Sequence, residues 1–161
     1  MTASPHRNVS EAQALFNTAF GAYLLASAVS TAAKKAQRPL PWPSAFLILP
    51  LVLPTDTRES LPGNSTVTLT AWANDNPRLQ AAFAERAAAL TTYTRASLRT
   101  AMRHHAIDVT SSGLICPRTP RPPSAAPGEE VADCARAAAL VGRWLAVTEP
   151  TRAFTALGVR P

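Results

Sequence analysis

The strongest constraint on this chain is the segment from Leu40 to Pro62, LPWPSAFLILPLVLPTDTRESLP, where a mostly apolar run from Ala45 to Leu53 is fenced and interrupted by prolines. Pro50 has no backbone donor and disfavours helical geometry at Leu49. The run therefore cannot be one uninterrupted helix and is expected to be kinked or extended, and buried. It cannot cross a bilayer either, because a spanning helix needs about 20 apolar residues and this run ends at Thr55, Asp56 and Arg58.

A chain of 161 residues is enough for one domain with a single core. Upstream of the proline-framed segment, an Ala-rich helix is expected from about Asn17 to Gln37. Phe16, Phe20, Tyr23, Leu24 and Leu25 make its buried face, and Lys34, Lys35 and Arg38 complement its negative end. Residues 15–33 carry no charge and resemble a leader or a weak span, but Glu11 and the polar Asn17, Thr18, Ser27, Ser30 and Thr31 argue against both. A cytoplasmic location is expected, with no membrane contact. A periplasmic helical protein starting near Val29 is the alternative.

After a break at Leu61 to Asn64, Ser65 or Thr66 is placed to cap a short helix through Trp72. Pro77 suits a first helical position, and Leu79, Phe83, Ala87 and Leu90 recur on one face of a helix ending near Thr91. A short turn at Thr91 to Tyr93 then leads into a helix that Thr94 caps. On that helix Leu98, Ala101, Met102 and His105 form an apolar face, opposite a stripe of Arg95, Arg99 and Arg103. Residues 107–110, a Ser111-Ser112-Gly113 turn and residues 114–116 read as a β-hairpin.

The order helix, turn, basic helix, hairpin is that of a winged helix. The expected fold is thus mainly α: a helical domain over residues 1–116 with a winged-helix-like helix-turn-helix and a small β-hairpin. Arg95, Arg99 and Arg103 are the candidate nucleic-acid contacts, able to meet phosphates or guanines of duplex DNA. The ordinary reading of the same stripe is a solvated face, and a third is a match for an acidic protein surface. The formal charge of +6 agrees with an acidic partner of either kind.

Residues 117–128, rich in proline, are expected to be an exposed linker. Residues 129–161 then form a C-terminal helix, with Val131, Ala138, Val141, Trp144 and Leu145 facing the core or a partner, and a tail that packs on the same domain. Chain ends fray unless held, yet this one keeps Phe154, Leu157 and Val159 ahead of Arg160-Pro161. Either its own domain holds it or a partner's groove does. Arg58 has two readings as well: a local pair with Asp56 or Glu59, or a contact to a partner.

Catalysis has little support. There is no phosphate-binding loop, no nucleophile elbow and no helix carrying two histidines about an acid, and the carboxylates are few and scattered. No cofactor or metal is expected. Cys116 and Cys134 read as two reduced thiols, and the adjacent His104 and His105 lack ligand spacing.

PLPWPSAFLILPLVLPTDTRESLP, TAWANDNPRLQAAFAERAAALTTYTRASLRTAMRHH and the closing FTALGVRP occur in matching order with their counterparts in a known family. They resemble the middle component of three-component ABC-ATPase (ABC-3C) systems, the family that includes the small subunit of Lamassu-type antiphage defence. The likeness runs from about Phe16 to Pro161, with its gap in the proline-rich stretch. It implies a non-catalytic accessory subunit joining an SMC-like or Rad50-like ABC ATPase to an effector, often a nuclease. Partner contacts would then fall on Arg58, Phe154, Leu157, Val159, Arg160 and Pro161. The alternative from the residues alone is a freestanding winged-helix DNA-binding regulator, which would bind duplex DNA unaided and with a steep salt dependence.

Overall fold

A computed structural model describes residues 17–122 and 128–160. The expected loose polar start, Phe16, the middle of the proline-rich linker and Pro161 lie outside the described residues.

Mainly helical architecture follows as expected, with a small two-stranded sheet. Helix α1 (Thr18–Ala36) is the central element. The Asn17 side chain accepts the Phe20 N–H at its start, and Gln37 closes it in the left-handed conformation with Lys34 and Lys35 in the last turn. A 3-10 turn (Trp42–Leu47) leads directly into α2 (Ile48–Val52). Pro50 is tolerated because a new helix starts just before it: within the first turn of α2, an amide N–H would have had no intrahelical acceptor. The segment is thus both broken and buried, with Leu47, Ile48, Leu49, Leu51 and Val52 each at most 1% exposed.

Helix α3 (Thr55–Ser60) and α4 (Leu69–Asp75) follow. The cap of α4 is Thr68, whose hydroxyl accepts from the Ala71 N–H, rather than Ser65 or Thr66. Leu69 and Trp72 must both face the core, and starting the helix at Leu69 achieves that; Trp72 then donates its indole N–H to the Ser60 carbonyl at 3.1 Å. Helix α5 (Pro77–Ala89) opens on its proline and buries Phe83.

Only Leu90 separates α5 from α6 (Thr91–Arg103). The expected turn at Thr91 to Tyr93 is helical, so Thr94 is an interior residue and not a cap. The buried face also differs from the expected one. Tyr93, Thr94, Ser97 and Ala101 are buried, Leu98 is half-buried, Met102 is 37% exposed and His105 lies outside the helix. Two causes act together. Gly21 of α1 lets α6 approach so closely that a side chain there would meet Ser97 Oγ at 2.1 Å, and such a seam selects small residues over Met and Leu. At the other end His105 adopts φ 56°, and the Ala106 N–H bonds the Ala101 carbonyl, which terminates the helix before His105 can join its face. Tyr93 Oη donates to the Asn17 carbonyl at 2.9 Å and Thr100 Oγ1 to Thr18 Oγ1 at 2.9 Å, locking α6 to the start of α1.

Strands β1 (Asp108–Thr110) and β2 (Gly113–Ile115) pair antiparallel, Val109 opposite Leu114. Leu40 and Leu114 exchange both backbone hydrogen bonds, at 2.9 and 2.7 Å, so the hairpin is anchored to the chain leaving α1. Gly113 has φ 143°, and a Cβ there would lie 2.3 Å from the Leu40 carbonyl oxygen; only glycine fits. The described part of the linker, residues 117–122, has no helix or strand.

Helix α7 (Glu129–Val147) packs along α1, and Gly142 brings the two backbones together. Ala138, Val141, Trp144 and Leu145 are buried as expected, and Val131 is half-buried. Trp144 lies 5.7 Å from Trp72, ring centre to ring centre, and donates to the Val67 carbonyl at 2.7 Å. Two indoles on different helices therefore pin the loop before α4. Helix α8 (Pro150–Ala156) is the last described helix, with Gln80 Nε2 donating to the Ala156 carbonyl at 2.7 Å. Among the described residues no helix is long and apolar enough to cross a membrane.

Candidate partner and nucleic-acid interfaces

Arg58 is held within the chain. One guanidinium nitrogen donates to the carbonyls of Val52 and Leu53 at 2.9 and 3.0 Å, which closes the end of α2, and the other lies 3.6 Å from Glu130 of α7. With its side chain 11% exposed, Arg58 ties the proline-framed segment to the C-terminal helix. Its ion partner is Glu130, not Asp56 or Glu59.

Asp56 belongs instead to Arg86, which grips both carboxylate oxygens at 2.8 and 2.7 Å and also donates to the buried Thr57 hydroxyl. The Arg86 hydrogen bonds hold the Asp56 carboxyl below its ordinary value, against a smaller opposing effect of burial. A depressed carboxylate contributes stability above its unfolded pKa and loses it as pH falls through the folded value. Because the pair is partly exposed, Arg86→Gln is expected to cost no more than about 1 kcal/mol at neutral pH. Urea midpoints of the variant and parent should converge as pH falls below the carboxylate range; a constant difference would place the effect in packing instead.

At the chain end, Leu157 is fully buried in the protein's own core and Ala153 with it, while Phe154 and Val159 are half-buried and Arg160 is exposed. The Val159 N–H closes on the Phe154 carbonyl. Of the tail's candidate residues, Phe154, Val159 and Arg160 therefore keep surface available to another chain, and Pro161 lies outside the described residues.

Arg95, Arg99 and Arg103 project from α6 on the side away from α1, all exposed. None forms an ion pair among the described residues. The three are brought into one row by the helical repeat alone.

The side chain that residue-by-residue reading missed is Trp42. It is 62% exposed, although it begins a turn whose Ser44, Ala45 and Leu47 are at most 1% exposed. Phe46, one turn on, meets it edge-to-face at 6.3 Å and 83°. Pro41 and Pro43 on either side stiffen the backbone that carries it. A tryptophan set between two prolines was the available signal.

The two thiols, Cys116 and Cys134, are both free. Burial pushes Cys134 up to about 11, outweighing the nearby Arg58 charge, so it is a packing residue and a poor nucleophile. No group of three or more His, Cys, Asp or Glu side chains among the described residues is placed to hold a metal ion.

Comparison with known proteins adds a family to this geometry. No curated protein and no solved structure matches the chain. Residues 6–161 match the family described as ABC-three component (ABC-3C) system Middle Component 3, which is nearly the whole sequence. This protein belongs to the family of middle components of ABC-three component systems.

Proposed function

We propose that this chain is a non-catalytic bridging subunit of a cytoplasmic antiphage complex of the Lamassu type. It docks an SMC-like or Rad50-like ABC ATPase and passes the state of that ATPase to an effector such as a nuclease. The observation carrying this reading is Trp42, a large aromatic left in solvent on a rigid turn rooted in the core. Tryptophan is enriched among the residues that carry most binding energy at protein interfaces, because it buries much area and loses little conformational freedom on docking. Phe46 beside it extends the same surface, and Phe154, Val159 and Arg160 offer a second contact. An ATP-driven change in the ATPase would act here by altering which contacts are made, since a docked equilibrium moves only through differential affinity.

Co-expression with its ATPase and effector subunits tests the proposal. Trp42→Arg is expected to weaken capture of the partner subunits by about 2 kcal/mol or more, roughly thirtyfold, while circular dichroism and thermal unfolding stay at parent values. Full retention of the complex by the folded variant would remove this turn from the interface.

A second reading rests on a separate observation, the exposed row of Arg95, Arg99 and Arg103 without carboxylate partners among the described residues. The order of α1, the Leu40 bridge, α5, α6 and the hairpin suits a winged helix, in which α6 would be the groove-facing helix. A freestanding regulator of this kind binds duplex DNA alone, with affinity falling steeply as salt rises, and loses that binding when the three arginines become glutamate.

A further inference from the structure

At the ends of α1 and α7 nearest the last helix, a cleft of about 360 Å³ opens to solvent. Its rim carries the cations Lys35, Arg143 and Arg152, from α1, α7 and α8 respectively, and no acidic side chain among the described residues lines it. Hydroxyls of Thr68, Thr70 and Thr148 face the same space, above a floor that includes Trp144. None of the three cations forms an ion pair among the described residues. Thr68 uses its oxygen to accept the Ala71 N–H, which leaves its O–H free to donate.

We propose that this cleft is a binding site for a small phosphate-bearing ligand, of the size of a nucleotide or smaller. Three positive charges drawn together from three helices repel one another, and an anion among them removes that repulsion. The α1 and α7 ends here are carbonyl ends, with partial negative charge, and give an anion no help; the charged side chains must hold it, with only the amide end of the short α4 also bordering the cleft. Arginine offers paired N–H donors that match phosphate oxygens, and the threonine hydroxyls supply neutral donors between them. The volume lies at the lower end of the roughly 300–1,000 Å³ of small-molecule sites. It is open to solvent but bounded by three helices, the start of α4 and the loop before it, which suits a compact ligand better than the continuous backbone of duplex DNA.

Titration calorimetry of the full chain with inorganic pyrophosphate, ATP and adenosine, in buffer free of phosphate, tests the site. Pyrophosphate and ATP are expected to bind saturably and adenosine not at all. Arg143→Gln with Arg152→Gln should weaken both by about tenfold or more, and Arg95→Gln with Arg99→Gln should leave them unchanged. Lys35→Gln with Arg152→Gln alters only exposed side chains and should reduce affinity without touching the fold. No saturable binding, equal binding of adenosine, binding that survives both cleft variants, or an equal loss in the α6 variant would each overturn the proposal.

Discussion

Gly142→Ala is expected to destabilise the protein by about 2–3 kcal/mol, the opposite sign from what the helical position would give in isolation. In an exposed helix the same change gains up to about 1 kcal/mol, because alanine loses less backbone freedom on folding. Here a methyl at residue 142 would lie 2.4 Å from the Ala28 carbonyl oxygen and 3.1 Å from the Ala28 Cα. The obstacle is backbone, so no rotamer change relieves it and α1 and α7 must move apart. Ala28 and Ala32 of α1 and Ala138 and Gly142 of α7 are small and buried, and Ala28 lies directly against Gly142. Widening it loosens contacts along the whole crossing, since interiors are packed near crystal density. Urea unfolding measures the change; a midpoint at or above the parent value would mean that the two helices are not in backbone contact.

Trp144→Ala is the other change with a large expected cost, about 3–5 kcal/mol. The side chain is 1% exposed, stacks at a tilt on Trp72, and holds the Val67 carbonyl through its indole N–H. Removal leaves a cavity between α7 and α4 and frees the loop that precedes α4. Trp144→Phe separates the contributions: it fills much of the space but leaves the Val67 carbonyl without its donor, an expected loss of about 1–3 kcal/mol for the unpaired group. If Phe were as costly as Ala, the hydrogen bond and not the packing would dominate. Trp144 also floors the basic cleft, so the stability assay should precede any binding measurement on this variant.

Much of the helical layout was legible locally. Asn17, Gln37 and Pro77 mark ends where the backbone's own donors and acceptors require a cap or suit a first turn, and the observed bounds fall beside them. The hairpin was legible from its Ser111-Ser112-Gly113 turn between two short apolar runs. The start of α4 and α6 was not, because Ser65, Thr66 and Thr94 are good caps by chemistry, and the burial of Leu69, Trp72 and Tyr93 decided between near-equal starts. Among the candidate interface residues, the arginine row on α6 was readable from the helical period, whereas each of the two readings of Arg58 and of the tail was open until the structure showed Arg58 bonded to the end of α2 and Leu157 buried.

By itself, the order of residues determined that the chain is helical, that the proline-framed run is interrupted and buried, and that three arginines share one helix side, because each depends on bonds and spacings between near neighbours. Only the tertiary structure decided which face of α6 is covered, which carbonyls Arg58 satisfies, that Trp42 stays outside while its turn goes in, and that Lys35, Arg143 and Arg152 meet around one cleft. The covered face of α6 follows from how closely α1 can approach at Gly21, and the others likewise from contacts between residues far apart in the chain, which no local spacing sets.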